Sequence, residues 1–222
     1  EELRAFLSDR ELDAVLIATP DRFHLPVALA AAKAGKHLLI EKPIAHTSEG
    51  LAELTSVIAK HGVKCAVGYH LRHHAGHRKI REAIRAGKLG AIHDVRVHWT
   101  YDMGGTDWRN DKSGSRWWSM SALGTHGIDL AKWLVTDEIA PKADRFAFAS
   151  DNRKYGANDE AALLTFQVGG ARVTVATSVL YKSPYQVDVY GQVGSAHATW
   201  TLGPRGAGAI TLLGEPLAFA PK

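Results

Sequence analysis

The stretch His37-Leu38-Leu39-Ile40-Glu41-Lys42-Pro43 passes from apolar residues straight into an acid, a base and a proline. Leu38 to Ile40 read as a buried strand, because they form a short continuous apolar run with a glycine turn before it and a proline after it. Lys42 then stands at the carboxyl end of that strand. In open parallel α/β sheets, ligands bind in the crevice beyond those ends, so a lysine delivered there is placed to do chemistry on a ligand. On this motif alone, a solvated loop lysine fits equally well. A second constellation is His70, His73, His74 and His77, at i, i+3, i+4 and i+7. On one helical face this spacing could present imidazoles to zinc or nickel, but the pattern holds no cysteine or carboxylate. A histidine-rich helix entry is the plainer reading, and no metal is expected.

The elements that position these groups follow from periodicity. Asp13 to Ala18 form another buried-strand run, broken by Thr19-Pro20-Asp21, and Phe23 to Ala34 carry helical spacing that Gly35 ends. After the Lys42 strand, Thr47 or Ser48 caps a helix with Leu51, Leu54, Val57 and Ile58 on one face, and Gly62 ends it. Val63 to Val67 are a third strand. Strands and helices alternating at this spacing are βαβ units, so the three strands should be parallel and their carboxyl ends should share one rim. That rim collects Thr19-Pro20, Glu41-Lys42-Pro43 and Gly68-Tyr69-His70, the positions where a doubly wound sheet holds a nucleotide. Beyond it the pattern changes. A helix is expected from Ala75 to Ala86 and a long alternating strand from Ile92 to Tyr101. A loop rich in Gly, Asp and Trp runs from Asp102 to Arg116, and a helix from Trp117 to Leu134 has an irregular turn near Leu123-Gly124-Thr125. Strands follow at Ala161 to Val168, Ala171 to Leu180, Gln186 to Tyr190 and Ala196 to Leu202, with hairpin signals at Gly169-Gly170 and Gly191 to Gly194. The fold class is therefore α/β followed by α+β. Residues 1–69 form a partial doubly wound, dinucleotide-binding domain. Residues 70–222 form a substrate-binding and oligomerisation domain with an open, mostly antiparallel sheet.

With 222 residues the chain can bury a sizeable core. Its net charge of +4 is scattered among acids, which suits an anionic ligand better than a nucleic-acid track, so no nucleic-acid partner is expected. A single cysteine, Cys65, permits no intrachain disulfide. No apolar run approaches the ~20 residues a membrane helix needs, and the opening Glu1-Glu2 lacks signal-peptide form. The expectation is a cytoplasmic protein with no membrane partner.

Taken in order, Ala18-Thr19-Pro20 with His24, Ala34-Gly35-Lys36-His37, Glu41-Lys42-Pro43, and Gly124-Thr125-His126 with Asp129 resemble the Gfo/Idh/MocA oxidoreductases. The resemblance runs from about Glu11 to Leu134 and continues more loosely through the Gly191 to Gly194 hairpin. It implies NAD or NADP as cofactor and hydride transfer to or from a sugar, cyclitol or similar small polyol. It also implies a homo-oligomer built through the C-terminal sheet. By position, the resemblance makes Lys42 the residue that shuttles the proton of the reacting hydroxyl, ahead of a cis peptide at Pro43, and makes His126 its partner on that hydroxyl. Removing hydride from an alcohol carbon requires loss of the hydroxyl proton, which a lysine of lowered pKa can take. Thr19, Pro20, His24 and Glu41 would line the adenosine and nicotinamide-ribose side, with Lys42; Arg72 would lie near the nicotinamide, and His70 at the nucleotide rim. Trp108 and Arg109, with Trp117, Trp118 and Arg116, could stack on a sugar or nicotinamide face and hold anionic groups, or pack as core between domains.

Two departures stand out. The family often places an acid four residues before the histidine, and here that position is Ala122, although Asp129 at i+3 could orient the imidazole or serve simply as a helix-face acid. The Gly-x-Gly-x-x-Gly turn that cradles a pyrophosphate is missing before Asp13, and the glycines of Gly203-Pro-Arg-Gly-Ala-Gly read as a turn. The expectation is that these residues belong to a longer chain, whose other half of the sheet carries the cradle. A catalytically silent binding or scaffold homologue, lacking the acid and the cradle, is the alternative.

Overall fold

The computed structural model describes residues 2–104, 117–138, 142–155, 158–203 and 207–220. They fall into two compact units, the first ending at Tyr69 and the second beginning at His70.

In the first unit, a short helix α1 (Glu2–Leu7) precedes β1 (Ala14–Ile17), α2 (His24–Lys33), β2 (His37–Ile40), α3 (Ser48–His61) and β3 (Cys65–Val67). The strands form a parallel sheet in the order β1-β2-β3, with Ile17 beside Ile40 and Ile40 beside Val67. Helix α2 takes Pro26 in its first turn, where the ring costs no hydrogen bond. It buries Ala28, Ala31 and Ala32 completely, which lets the helix backbone lie close to its neighbours. Helix α3 is capped by Thr47, whose Oγ1 accepts from the Gly50 amide at 3.1 Å, and ends at Gly62 in the left-handed region, φ 64°.

Strands β1 and β2 alternate strictly, with Val15, Ile17, Leu38 and Ile40 inside and Leu16 and Leu39 outside. The apolar runs predict strands covered on both faces, as parallel sheets normally are. Among the described residues of this unit, the helical layer covers only the face bearing Ile17 and Ile40. The two faces should therefore respond differently to truncation. Ile17→Ala is expected to cost roughly 2–5 kcal/mol in urea unfolding, and Leu16→Ala less than about 0.5 kcal/mol. Equal losses would mean that the Leu16 face is covered too.

The second unit is built on an eight-stranded sheet in the order β11-β10-β9-β8-β4-β7-β6-β5. Its strands are β4 (Ile92–Thr100), β5 (Ala143–Asp151), β6 (Ala161–Val168), β7 (Ala171–Ser178), β8 (Gln186–Gly191), β9 (Ser195–Thr199), β10 (Ala209–Leu212) and β11 (Glu215–Pro216). All neighbours are antiparallel except β4 and β7, which run parallel at the centre. Both expected hairpins form. Strands β10 and β11 were not anticipated from the sequence, and β9 stops at Thr199 because Trp200 turns into the left-handed region, φ 62°.

Helices α4 (Ala75–Arg85) and α5 (Thr125–Val135) contribute Ile80, Leu130 and Leu134 to the core of this unit. Val95, Val97, Val173, Val175, Val187 and Val189 contribute from the strands. At Gly127 a Cβ would come 3.0 Å from both Val97 and Val175, so this glycine lets α5 sit close on the sheet. No helix among the described residues is long and apolar enough to cross a membrane.

Candidate functional site

Groups able to do chemistry gather within each unit. In the first, the carboxyl ends of β1 and β2 border a cavity of about 320 Å³, lined by residues 18–21, His24, Glu41 and Lys42. That volume suits a small-molecule subsite. Lys42 is 8% exposed, and the peptide joining it to Pro43 is cis. Its amide donates to Glu41 Oε2 at 3.2 Å. The same carboxylate lies against Gly68, where a Cβ would stand 3.0 Å from Glu41 Oε1, so glycine leaves room for the acid on the rim.

His24, the first residue of α2, is almost wholly buried beneath the rim. Its Nδ1 lies 2.7 Å from the Pro43 carbonyl oxygen and its Nε2 2.7 Å from that of Thr19. Carbonyl oxygens only accept; a neutral imidazole can donate to one of them, and the imidazolium to both. The ring thus ties the loop after β1 to the loop after β2. His24 positions Thr19 and Lys42 from within the chain, with both ring nitrogens engaged by the backbone. Asp21, buried beside it on the cavity wall, was not singled out from the sequence.

In the second unit, His126 is the second residue of α5 and is 5% exposed. The His70 ring meets it edge-on with centroids 4.7 Å apart, Trp99 lies at 5.6 Å, and Tyr185 packs on Trp99 at 5.9 Å. The entry to α5 is a π-helical turn, Met120–Gly124, slightly earlier than the irregularity expected at 123–125. Asp159 caps this entry, accepting from the Trp118 amide at 2.7 Å, Ser119 Oγ at 2.6 Å and the Met120 amide at 2.9 Å. Burial pushes the Asp159 carboxyl above the usual range, while these three donors pull against it. Ala122, in place of an acid, is buried in the π turn.

Asp129 has a different partner from the one considered above. Arg72 Nε donates to Asp129 Oδ2 at 2.8 Å, and Arg72 Nη2 donates to Oδ1. A guanidinium fork matches both oxygens of a carboxylate, so it occupies the acid more fully than an imidazole three residues away on the helix could. Asp129 therefore anchors Arg72, whose side chain is 44% exposed.

The four histidines do not share one helical face. His70 and His73 belong to a 3₁₀ turn, His74 is the N-cap of α4, and His77 is buried in that helix's first turn. The backbone is extended at His74 itself, φ −64° and ψ 123°, between the 3₁₀ turn and α4, which breaks the i, i+3, i+4, i+7 alignment. Among the described residues, no group of three or more His, Cys, Asp or Glu is placed to hold a metal. Trp118 is fully buried, its ring 5.3 Å from Tyr155, and Trp117 packs edge-on against Phe148 at 5.5 Å. Trp108, Arg109 and Arg116 lie outside the described residues.

Residues 1–69 match the model described as oxidoreductase family, NAD-binding Rossmann fold, and residues 77–197 match the GFO/IDH/MocA C-terminal domain. The chain belongs to the GFO/IDH/MocA family. It is 27% identical over 217 residues to a 1,5-anhydro-D-fructose reductase of Ensifer adhaerens, covering 93% of this chain and 62% of that protein. Among solved structures it resembles an aldose-aldose oxidoreductase from Caulobacter crescentus complexed with glycerol. The TM-score is 0.86 at 22% identity, over 99% of this chain and 65% of that one. It also resembles an inositol dehydrogenase homolog from Azotobacter vinelandii complexed with NADH and myo-inositol. There the TM-score is 0.81 at 22% identity, over 96% of this chain and 57% of that one. This chain thus spans about three fifths of the length of these relatives. The partial Rossmann sheet and the open, mostly antiparallel sheet are the family's fold.

Proposed function

We propose that the chain is part of an NAD(P)-dependent oxidoreductase that moves hydride between a nicotinamide cofactor and a sugar, cyclitol or similar small polyol. The observation that carries this reading is the Lys42 cavity at the carboxyl ends of two parallel strands, within a sequence belonging to an oxidoreductase family. The lining fits the ribose and nicotinamide end of a dinucleotide. Glu41 offers a carboxylate to ribose hydroxyls, Thr19 and Pro20 shape the wall, and the volume admits a group of that size. When bound, the nicotinamide supplies the hydride acceptor or donor. Lys42 takes the proton of the reacting hydroxyl in oxidation and returns it in reduction. In the second unit, His126 offers a hydrogen bond to substrate, and His70, Trp99 and Tyr185 give it an aromatic wall on which a sugar face can lie. Arg72, held by Asp129, supplies a fixed positive charge.

The names of the relatives support a polyhydroxylated substrate, namely 1,5-anhydro-D-fructose, aldoses and myo-inositol. We extend the proposal to a homo-oligomer formed through the C-terminal sheet. Its edge strand β5 is exposed along most of its length and presents Phe146 and Phe148, and an open edge of this kind pairs readily with another chain. The alternative, a silent binding homologue, rests on Ala122 and on the engagement of Asp129 by Arg72. NADH fluorescence with the full-length protein separates the two. Binding followed by oxidation with keto-sugars, or NAD reduction with polyols, is the expected result. Tight NADH binding with no turnover across such a panel supports the silent homologue.

A further inference from the structure

The sheet of the second unit has a polar face opposite its valine core. On β9, Ala196 and Ala198 are fully buried in the core, so Ser195, His197 and Thr199 point the other way. On β8, Val187 and Val189 are buried in the core, and Asp188 and Tyr190 share the polar face. Register puts Asp188 directly across from His197 and Tyr190 across from Ser195. The pleat thereby lines up a hydroxyl, an imidazole and a carboxylate. Ser195 Oγ lies 2.9 Å from His197 Nε2, and His197 Nδ1 lies 2.8 Å from Asp188 Oδ1. Gln186 Nε2 donates to the same Asp188 oxygen at 3.1 Å, and the Tyr190 ring meets the His197 ring edge-on at 5.4 Å. Across the sheet, Arg96 on β4 pairs in register with Asp188. His197 is partly open to solvent, its side chain 36% exposed, while that of Asp188 is 12% exposed.

This is the order of a nucleophile, a base and a group that orients the base. With Asp188 accepting from Nδ1–H, the lone pair of Nε2 faces the serine hydroxyl. We propose that Ser195 is an activated nucleophile, acylated by small activated acyl esters. Its Oγ adds to the acyl carbon while His197 Nε2 takes the hydroxyl proton. The tetrahedral adduct then collapses, the bond to the leaving aryloxide breaks, and the imidazolium gives that proton to the aryloxide. The products are an O-acyl Ser195 and a phenol, with no change of oxidation state.

The same strand geometry limits the substrate. Strand β9 lies paired between β8 and β10, and the N–H groups of a ladder point along the sheet toward the neighbouring strands rather than out of the face that carries Ser195, so the ladder provides no preorganised oxyanion hole. A single oxyanion donor is worth ~10²–10³ in rate, which puts amides and alkyl esters out of reach and confines the site to good leaving groups. Nothing in this step uses a nicotinamide or Lys42, so it stands or falls separately from the proposed dehydrogenase.

The test is treatment with p-nitrophenyl acetate, with acetylation followed peptide by peptide in a mass spectrometer. Ser195 is expected to acetylate at least about tenfold faster in the wild type than in His197→Gln, with Asp188→Asn between them. Ser195→Ala should show no acetyl group on that peptide. Circular dichroism of each variant establishes that the sheet is intact, and Thr199→Ala, on the same face, should label Ser195 at the wild-type rate. An unmodified Ser195 while lysines acetylate, or equal labelling in His197→Gln, would overturn the proposal.

Discussion

Lys42→Ala in the full-length protein is expected to lower turnover by ~10²–10⁴ while leaving NADH affinity within a few-fold, the usual contribution of a positioned general acid or base. The expectation follows from where the fold puts the side chain. Strand β2 delivers Lys42 to the sheet's carboxyl rim, and His24 ties the Pro43 carbonyl to that of Thr19 from below. The residue is also nearly buried. A lysine held this way loses little further freedom when it meets a substrate hydroxyl, and in the proposed mechanism removing it takes away the proton acceptor while Thr19, His24 and Glu41 still line the cavity. Lys42→Met keeps the length of the chain without the charge and should behave like the alanine variant. Measuring kcat alongside NADH affinity decides the matter: a loss of only a few-fold in both variants would mean that another group carries the proton.

How much of this could be read from the sequence depends on how local each feature is. Strands β1 and β2, a helix cap at Thr47 or Ser48, the stop at Gly62 and the hairpins at Gly169-Gly170 and Gly191 to Gly194 are set by neighbouring residues, and the sequence announces them; the structure assigns the cap to Thr47. The covered face of the first sheet was not legible, since Leu16 and Ile17 are equally apolar and only the helix layer distinguishes them. Long-range polar pairs were hidden in the same way. Asp159 caps the entry to α5 from about 40 positions downstream, and Arg72 captures Asp129 from 57 residues away. Neither acid has a local pattern that names its partner. Strands β10 and β11 are short and bordered by glycine, so they carry little periodicity. Trp99 was legible in principle: it has the same parity on β4 as Val95 and Val97, which puts it on the helix-facing side near His126.

His77 should make the second unit labile to acid. Its ring is fully buried in α4, with Nδ1 3.0 Å from the Leu71 carbonyl oxygen and Nε2 2.9 Å from Thr201 Oγ1. The neutral Nδ1–H tautomer satisfies both contacts, since it donates to the carbonyl and accepts from the hydroxyl. Burial first, and then the nearby His74 and His70, push its pKa down to about 3 from 6.5. Below 6.5 the unfolded chain therefore binds a proton that the folded chain refuses. Stability rises with pH across that window and falls on acidification, by roughly 1.4 kcal/mol per pH unit, until the folded ring also titrates near 3. Between neutral pH and pH 5 this one group should remove about 2 kcal/mol, a large share of a typical domain's stability. Urea midpoints for the wild type and His77→Gln, taken from pH 7.5 to 5, isolate the contribution from the other histidines. The glutamine amide can still donate to Leu71 and accept from Thr201, so the variant should fold, and its stability should fall more gently with acid by about one proton's worth of slope. Parallel pH profiles for the two proteins would show that His77 is protonated in the folded state as readily as in the unfolded one, and that the acid sensitivity lies elsewhere.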